Sequence, residues 1–154
     1  MAISDSIYNE VIMSHNKNTY NKRELPRVDH SEHGHNPSCG DDITLNMTFD
    51  GEIISAMSYK GIGCAISQAS ASMMIDLMTG KTKGEALALA ETFIGMIKAT
   101  VTEEEAEDLL GESSILANIK HMPARVKCAV LAWHTLQEAI GHEAAGGREA
   151  TNGQ

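Results

Sequence analysis

Alternating apolar and polar residues predict a β-hairpin in the first third of the chain. From Asp42 to Asp50, apolar residues occupy every second position, as in a half-buried strand: Ile43, Leu45, Met47 and Phe49. Asp50-Gly51 favours a two-residue turn, because type I′ turns require positive φ. Glu52 to Tyr59 is then expected to form the returning strand.

The predicted hairpin determines which residues of its two strands share a face. The segments before and after the hairpin are predicted separately. Ile54 and Ala56 are expected on the face that carries Met47 and Leu45. A short third strand is expected at 61–64. The polar segment 16–36, which lacks periodicity, is expected to be a loop.

Helical periodicity and capping signals fill the rest of the chain. The expected helices are Ser4 to His15, a helix capped by Ser67 and closed by Gly80, one with a Thr82–Glu85 capping box, one with a Thr102–Glu105 box that ends at Gly111, a short element from Ser114 to Lys120, and a last helix from Pro123 to Gly141. In the last helix, the predicted apolar stripe is Val126, Val130, Trp133, Leu136 and Ile140, and Cys128 is expected to face away from its centre.

The fold class is therefore α+β: a small three-stranded antiparallel sheet packed with about five to six helices. Residues 1–142 are expected to form a single domain, and 143–154 are expected to be a disordered C-terminal tail.

Composition narrows the class of function. The 154 residues carry a net charge of −9 from 12 Lys and Arg against 21 Asp and Glu, which argues against a nucleic-acid partner. The sequence contains no apolar run of membrane-spanning length, and no signal peptide is expected. Three cysteines, an odd number, fit a cytoplasmic protein with functional thiols better than a disulfide framework.

The cysteines supply the candidate chemistry. Cys39 and Asp41 are separated by Gly40, and Cys64 and Cys128 lie near predicted helix starts. Three thiolates and a carboxylate make a plausible tetrahedral metal site, and zinc is the first candidate ion. Spacing alone leaves buried, inert thiols as the alternative.

Several charged and histidine residues are secondary candidates. His30, His33 and His35 precede Cys39 and are either solvated loop residues or auxiliary metal ligands. Arg125 and Lys127 could balance the negative charge of a site with three thiolates and one carboxylate.

Three motifs together resemble the IscU/SufU family of iron–sulfur assembly proteins. They are Asn-Pro-Ser-Cys-Gly-Asp at 36–41, Gly-Ile-Gly-Cys-Ala-Ile-Ser at 61–67 followed by Ala-Ser-Ala-Ser-Met-Met at 69–74, and Arg-Val-Lys-Cys-Ala-Val-Leu-Ala-Trp at 125–133. The chain is more similar to the SufU branch, since the scaffold branch carries a histidine where Lys127 stands. The 64–128 interval is also longer than in the scaffold branch, with the acidic helix near 103–110 as the expected insertion.

The resemblance implies a SufE/NifU-like, IscU-type fold and a zinc ion bound by Cys39, Asp41, Cys64 and Cys128. It also implies that Cys39 accepts persulfide sulfur from a pyridoxal-phosphate cysteine desulfurase like SufS and passes it on to downstream iron–sulfur assembly proteins. For Arg125, a pairing with Asp41 or with the developing sulfur anion is a hypothesis.

Three other functions remain open at this point. The same Cys and Asp residues could assemble a [2Fe–2S] cluster on a scaffold. A structural zinc module that binds a partner is the second. A cysteine hydrolase using Cys64 with His134 is the third, although no acidic residue is in a recognisable place to orient the histidine.

Overall fold

The structure is a computed structural model that describes residues 5–17, 20–38 and 40–144. Cys39 and residues 145–154 of the predicted tail 143–154 therefore lie outside the described residues. Nine elements follow one another: α1 (Asp5–Lys17), β1 (His30–Asn36), β2 (Asp41–Asp50), β3 (Ile53–Ile62), α2 (Ala65–Met78), α3 (Lys83–Ile97), α4 (Glu103–Leu110), a 3₁₀ segment (Gly111–His121) and α5 (Pro123–Ala144). This confirms the α+β class, with three antiparallel strands and five α-helices.

The third strand of the sheet is β1, which corrects the prediction of a loop up to Asn36. The strand order is β1-β2-β3, and β1 pairs with β2 from His30 opposite Met47 to Asn36 opposite Asp41. The predicted strand at 61–64 does not exist separately, because β3 continues to Ile62. His30, His33 and His35 therefore belong to an edge strand.

The β2–β3 hairpin has a different register from the predicted one. Asp50 pairs with Ile53, so the turn residues are Gly51 and Glu52, and a bulge shifts the register between Thr48 and Phe49. Met47 consequently faces Met57, and Ala56 is only half-buried opposite Thr48. Ile54 does reach the core as expected.

The helices cover one face of the sheet. Helix α5 packs on β1 and β2, and α2 packs on β3 and against α5. In the core the Trp133 ring stacks on Phe93 at 3.9 Å between centroids, and its Nε1 donates to Ser70 Oγ at 2.8 Å. The indole is thus fully buried with its polar atom satisfied.

Helix ends match the predicted capping signals in two cases and differ in two. Both capping boxes, Thr82 with Glu85 and Thr102 with Glu105, are present. Helix α2 begins earlier than predicted, with Cys64 as its N-cap, so Ser67 lies within its first turn. Helix α5 continues past Gly141 to Ala144, so Glu143 and Ala144 are helical where the start of a disordered tail was expected.

Within α5, Cys128 is fully buried, which corrects the expectation that it faces away from the apolar stripe. The buried stripe includes small residues that a search for large apolar side chains overlooks: Ala129, Ala132 and Ala139. Val126 and Val130 lie at its edge and are half-buried. The sulfur of Cys128 therefore points into the protein.

Candidate metal centre

Asp41 is a fully buried carboxylate at the start of β2. Its Oδ1 accepts hydrogen bonds from the Cys64 backbone N–H at 3.0 Å and from Ser67 Oγ at 3.2 Å. Its Oδ2 lies 3.4 Å from Asn36 Nδ2, across the β1–β2 pair. Because a buried carboxylate is costly without partners, these donors fix the position of Asp41 as well as stabilise it.

Cys64 joins the sheet to helix α2. It adopts the extended N-cap conformation, with φ −74° and ψ 171°, and its Sγ accepts from the Ser67 N–H at 3.4 Å. Gly63 makes the close approach to Asp41 feasible, since a Cβ there would lie 2.3 Å from Ser67 Oγ and 3.0 Å from Asp41 Oδ1. The turn between β3 and α2 is therefore built around the carboxylate.

Cys128 completes a three-residue cluster from the opposite side. A carboxylate oxygen of Asp41 and the sulfur atoms of Cys64 and Cys128 all lie within 4.8 Å of one another. These residues come from β2, the N-terminus of α2 and the second turn of α5, so three separate elements converge on one point.

The donor set fits a zinc ion. Zinc–sulfur distances of about 2.3 Å place two thiolates of a tetrahedral site about 3.8 Å apart, so separations below 4.8 Å need only small closure. Thiolates with one carboxylate suit a borderline-soft divalent ion. Cys39, which is joined to Asp41 through Gly40 in the chain, lies outside the described residues, so its place as fourth ligand stays a prediction.

The other predicted residues lie around this cluster. Arg125 is exposed in the first turn of α5, where its N–H donates to the Met122 carbonyl, and its pairing with Asp41 stays a prediction. Lys127 lines a surface cavity of about 250 Å³ together with His35 and His134. The hydrolase pairing has little support from this arrangement, since Cys64 groups with Asp41 and Cys128.

The three histidines of β1 have separate environments. His33 is exposed and contacts Asp42 Oδ1 at 2.8 Å, and its ring stacks with that of His35 at 6.1 Å. His30 is buried and bonded to Glu32. In the described part of the chain, the candidate metal cluster around Asp41 includes none of these histidines.

Sequence reasoning missed the residues that hold Asp41 in place. The sequence predicts that Ser67 caps a helix, and it includes Asn36 and Gly63 only as members of the family motifs. Their signal is their position next to Cys39 and Cys64 in the motifs, since residues that support metal ligands often lie beside them in the chain.

The model of the NifU-like N terminal domain matches residues 7–144. An iron–sulfur cluster assembly scaffold protein IscU from Streptococcus pyogenes is 41% identical over 94% of this chain and 90% of its own length. The zinc-dependent sulfurtransferase SufU of Bacillus subtilis is 38% identical over 92% of this chain and 95% of its own.

Structural similarity agrees with this sequence similarity. The crystal structure of FiSufU from Fervidobacterium islandicum has a TM-score of 0.79 and 38% identity, over 90% of this chain and 99% of that one. Among the helices in the described ranges, none is long and apolar enough to cross a membrane. The chain belongs to the NifU-like N-terminal domain family, together with proteins named IscU and SufU.

Proposed function

We propose that this protein is a zinc-dependent sulfurtransferase that accepts persulfide sulfur on Cys39 for iron–sulfur cluster assembly. The observation that carries this proposal is the convergence of buried Asp41 and Cys128 with half-buried Cys64, with Cys39 two residues before Asp41 in the sequence. The similarity to a relative named zinc-dependent sulfurtransferase supports the same activity.

In this function Cys39, Asp41, Cys64 and Cys128 would hold the zinc ion. Bound zinc would store the cysteines as thiolates and restrain their nucleophilicity. Cys64 and Cys128 are anchored by α2 and α5, whereas Cys39 falls in the sequence between the last residue of β1 and the first residue of β2. Cys39 would therefore be the thiolate that reacts.

The transfer step is a thiol–persulfide exchange. The Cys39 thiolate attacks the terminal sulfur of a persulfide on the donor protein, a new S–S bond forms at Cys39, and the donor cysteine leaves as a thiolate. One S–S bond replaces another, so no external oxidant or reductant is needed. Arg125 would stabilise the negative charge on the attacking or leaving sulfur.

The donor would be a pyridoxal-phosphate cysteine desulfurase of the SufS type, and the sulfur would pass to downstream iron–sulfur assembly proteins in the cytoplasm. The net charge of −9 favours a docking partner with a basic surface. A ligand exchange with a donor residue at docking would release Cys39 from the ion.

The first experiment measures zinc, iron and acid-labile sulfide in untagged protein purified without oxygen. We expect about one zinc per chain and no colour. The protein is then incubated with a cysteine desulfurase and cysteine, and persulfide on Cys39 is located by peptide mass spectrometry. Cys39→Ser should lose sulfur loading, and the matched neighbour variant Ser38→Ala should keep it.

Two results would contradict the proposal. Unchanged sulfur loading in Cys39→Ser would show that Cys39 is not the residue that accepts sulfur. A loss of folding in step with the loss of zinc, with no separate effect on transfer, would indicate a structural zinc module instead. For Arg125→Ala, an unchanged transfer rate would exclude its role in the exchange.

The second candidate is a scaffold that assembles a [2Fe–2S] cluster on the same residues. The observation in its favour is the 41% identity to a relative named as an assembly scaffold. Lys127, which stands where a scaffold would have a histidine, argues against it. Equal amounts of iron and sulfide in a brown protein would favour the scaffold.

A further inference from the structure

The inward face of edge strand β1 carries ionisable residues in place of apolar ones. Its buried positions are His30, Glu32, Gly34 and Asn36. The side chains of His30 and Glu32 are each only 4% exposed. A buried ionisable pair is unusual on a sheet face, because burial of a charge is costly unless it is paired or bound to a metal.

A second histidine meets this pair from the last turns of α5. His30 Nε2 lies 2.7 Å from Glu32 Oε1, and His142 Nδ1 lies 3.0 Å from Glu32 Oε2 and 3.1 Å from Oε1. The side chain of His142 is half-exposed. The Glu32 carboxylate therefore lies within hydrogen-bonding distance of two imidazoles, one from β1 and one from α5.

Close packing of α5 on β1 keeps the three residues together. A Cβ at Gly34 would lie 2.1 Å from Thr135 Oγ1 and 3.3 Å from the Leu131 side chain, so only glycine lets the helix lie this near. Lys83 Nζ, 2.6 Å from Glu143 Oε1, fixes the same end of α5. The position of His142 is thus determined by packing on both sides of it.

We propose that His30, Glu32 and His142 form a second binding site, for a divalent transition-metal ion such as zinc. One ligand atom from each residue lies within 4.8 Å of the others. Two imidazole nitrogens and one carboxylate oxygen are the ligands of many open zinc sites, which leave the fourth position to water. Half-exposed His142 gives the ion a path from solvent.

The observed distances require little movement. Metal–ligand bonds of about 2.0–2.2 Å place the ligand atoms of a tetrahedral site about 3.3 Å apart. The histidine–Glu32 separations of 2.7 to 3.1 Å therefore open by a few tenths of an ångström when an ion binds. The ligand atoms of the two histidines, which lie within 4.8 Å of each other, approach by at most about 1.5 Å. Rotation of the half-exposed His142 side chain can supply that change.

This site is separate from the cluster at Asp41. His30 precedes Asn36, which contacts Asp41, by six positions along β1. Glu32 precedes Asn36 by four positions, so at about 3.3 Å per residue the ligands of the second site lie about 13 to 20 Å from Asn36 along the strand. They should load independently, and an ion here would cross-link the start of β1 to the end of α5.

The test counts metal in untagged protein whose first site is already filled with zinc. Added zinc followed by desalting should leave two zinc per chain in the wild type and one in Glu32→Gln, which keeps the shape of the side chain. His142→Gln, at a half-exposed position, should also lose the second ion. The matched control is His33→Asn on the outward face of β1, which should keep two. Circular dichroism checks that each variant is folded.

Two further readouts identify the ligands. Cobalt added to the zinc-loaded protein should give visible bands without thiolate-to-cobalt charge transfer, because the second site contains no sulfur. Zinc beyond the first equivalent should raise the melting temperature of the wild type but not of Glu32→Gln. One zinc per wild-type chain, a second ion retained in Glu32→Gln, or its loss in His33→Asn would overturn the proposal.

Discussion

Gly63→Ala tests whether the hydrogen bonds to Asp41 tune the metal centre. The new Cβ would lie 2.3 Å from Ser67 Oγ and 3.0 Å from Asp41 Oδ1, whereas ordinary contacts begin at 3.4 Å. The φ of Gly63 is not positive, so the substitution acts through this crowding and not through backbone strain. The Ser67 hydroxyl must turn away and lose its 3.2 Å bond to Asp41.

The expected magnitude follows from the lost bond. A hydrogen bond to a charged group contributes about 1.5–3 kcal/mol, and loss of a group that orients a metal ligand typically weakens metal binding about 10- to 100-fold. We therefore expect the zinc affinity of Gly63→Ala to fall about 10- to 100-fold, measured by competition with a chelator of known affinity. Gly84→Ala is the matched control, because a Cβ at Gly84 meets nothing within 4 Å.

A double-mutant cycle separates crowding from other effects. Ser67→Ala removes the hydroxyl and should weaken zinc binding by itself. On that background Gly63→Ala should cost less than in the wild type, because only the 3.0 Å contact with Asp41 remains. An unchanged zinc affinity in Gly63→Ala, an equal loss in Gly84→Ala, or strictly additive effects in the cycle would refute this reasoning.

Three other predictions concern stability, and each is measured by urea unfolding. Gly61→Ala should lower the free energy of unfolding by about 1–3 kcal/mol or more, because Gly61 has φ +124° and a Cβ would lie 2.0 Å from the Asp42 carbonyl oxygen. An unchanged free energy of unfolding would contradict this strand geometry. Thr102→Ala removes the side-chain cap of α4 and should cost about 1 kcal/mol, with unchanged stability as the contrary result. The pKa of Asp29 is lowered from 3.8, chiefly by the backbone N–H of Phe49. A lowered folded-state pKa stabilises the protein above pH 3.8 and this contribution is lost as pH falls through the folded value, so Asp29→Asn should flatten the acid side of the stability profile.

The elements that the sequence predicted well depend on local signals. Alternation in β2 and the two capping boxes need only neighbours within four residues, and the structure confirms them. The predicted hairpin register is wrong because the turn lies one residue later, at Gly51 and Glu52, and the bulge between Thr48 and Phe49 adds a further shift that the turn residues do not specify. Local chemistry therefore predicted that the two strands pair, but not their alignment.

The end of α5 shows how tertiary contacts override a local stop signal. Gly141 is a typical helix terminator, yet the helix continues to Ala144. The added turn is held by His142, which contacts Glu32, and by Glu143, which pairs with Lys83. These partners lie more than fifty residues away in the chain, so no local pattern reveals them.

The candidate metal centre was predictable in part for a different reason. Asp41 and Cys64 are both marked by adjacent glycines, and the motifs around all three cysteines carry the family resemblance. The structure brings Asp41, Cys64 and Cys128 together, while Cys39 stays a prediction. What the sequence did not reveal is the support for Asp41, because the role of Ser67 appears only when β2 lies beside the start of α2.

Strand β1 was missed because its buried positions are polar. Period-2 alternation identifies a strand only when the inward residues are apolar, and here they include His30 and Glu32. These residues can be buried because His142, from the far end of the chain, completes their hydrogen bonds. A polar inward face on an edge strand is therefore tolerated only with a specific partner. This requirement distinguishes His30 from the exposed His33. His30 can be buried only because Glu32 and His142 are its partners, and these are the residues that the proposed second metal site uses.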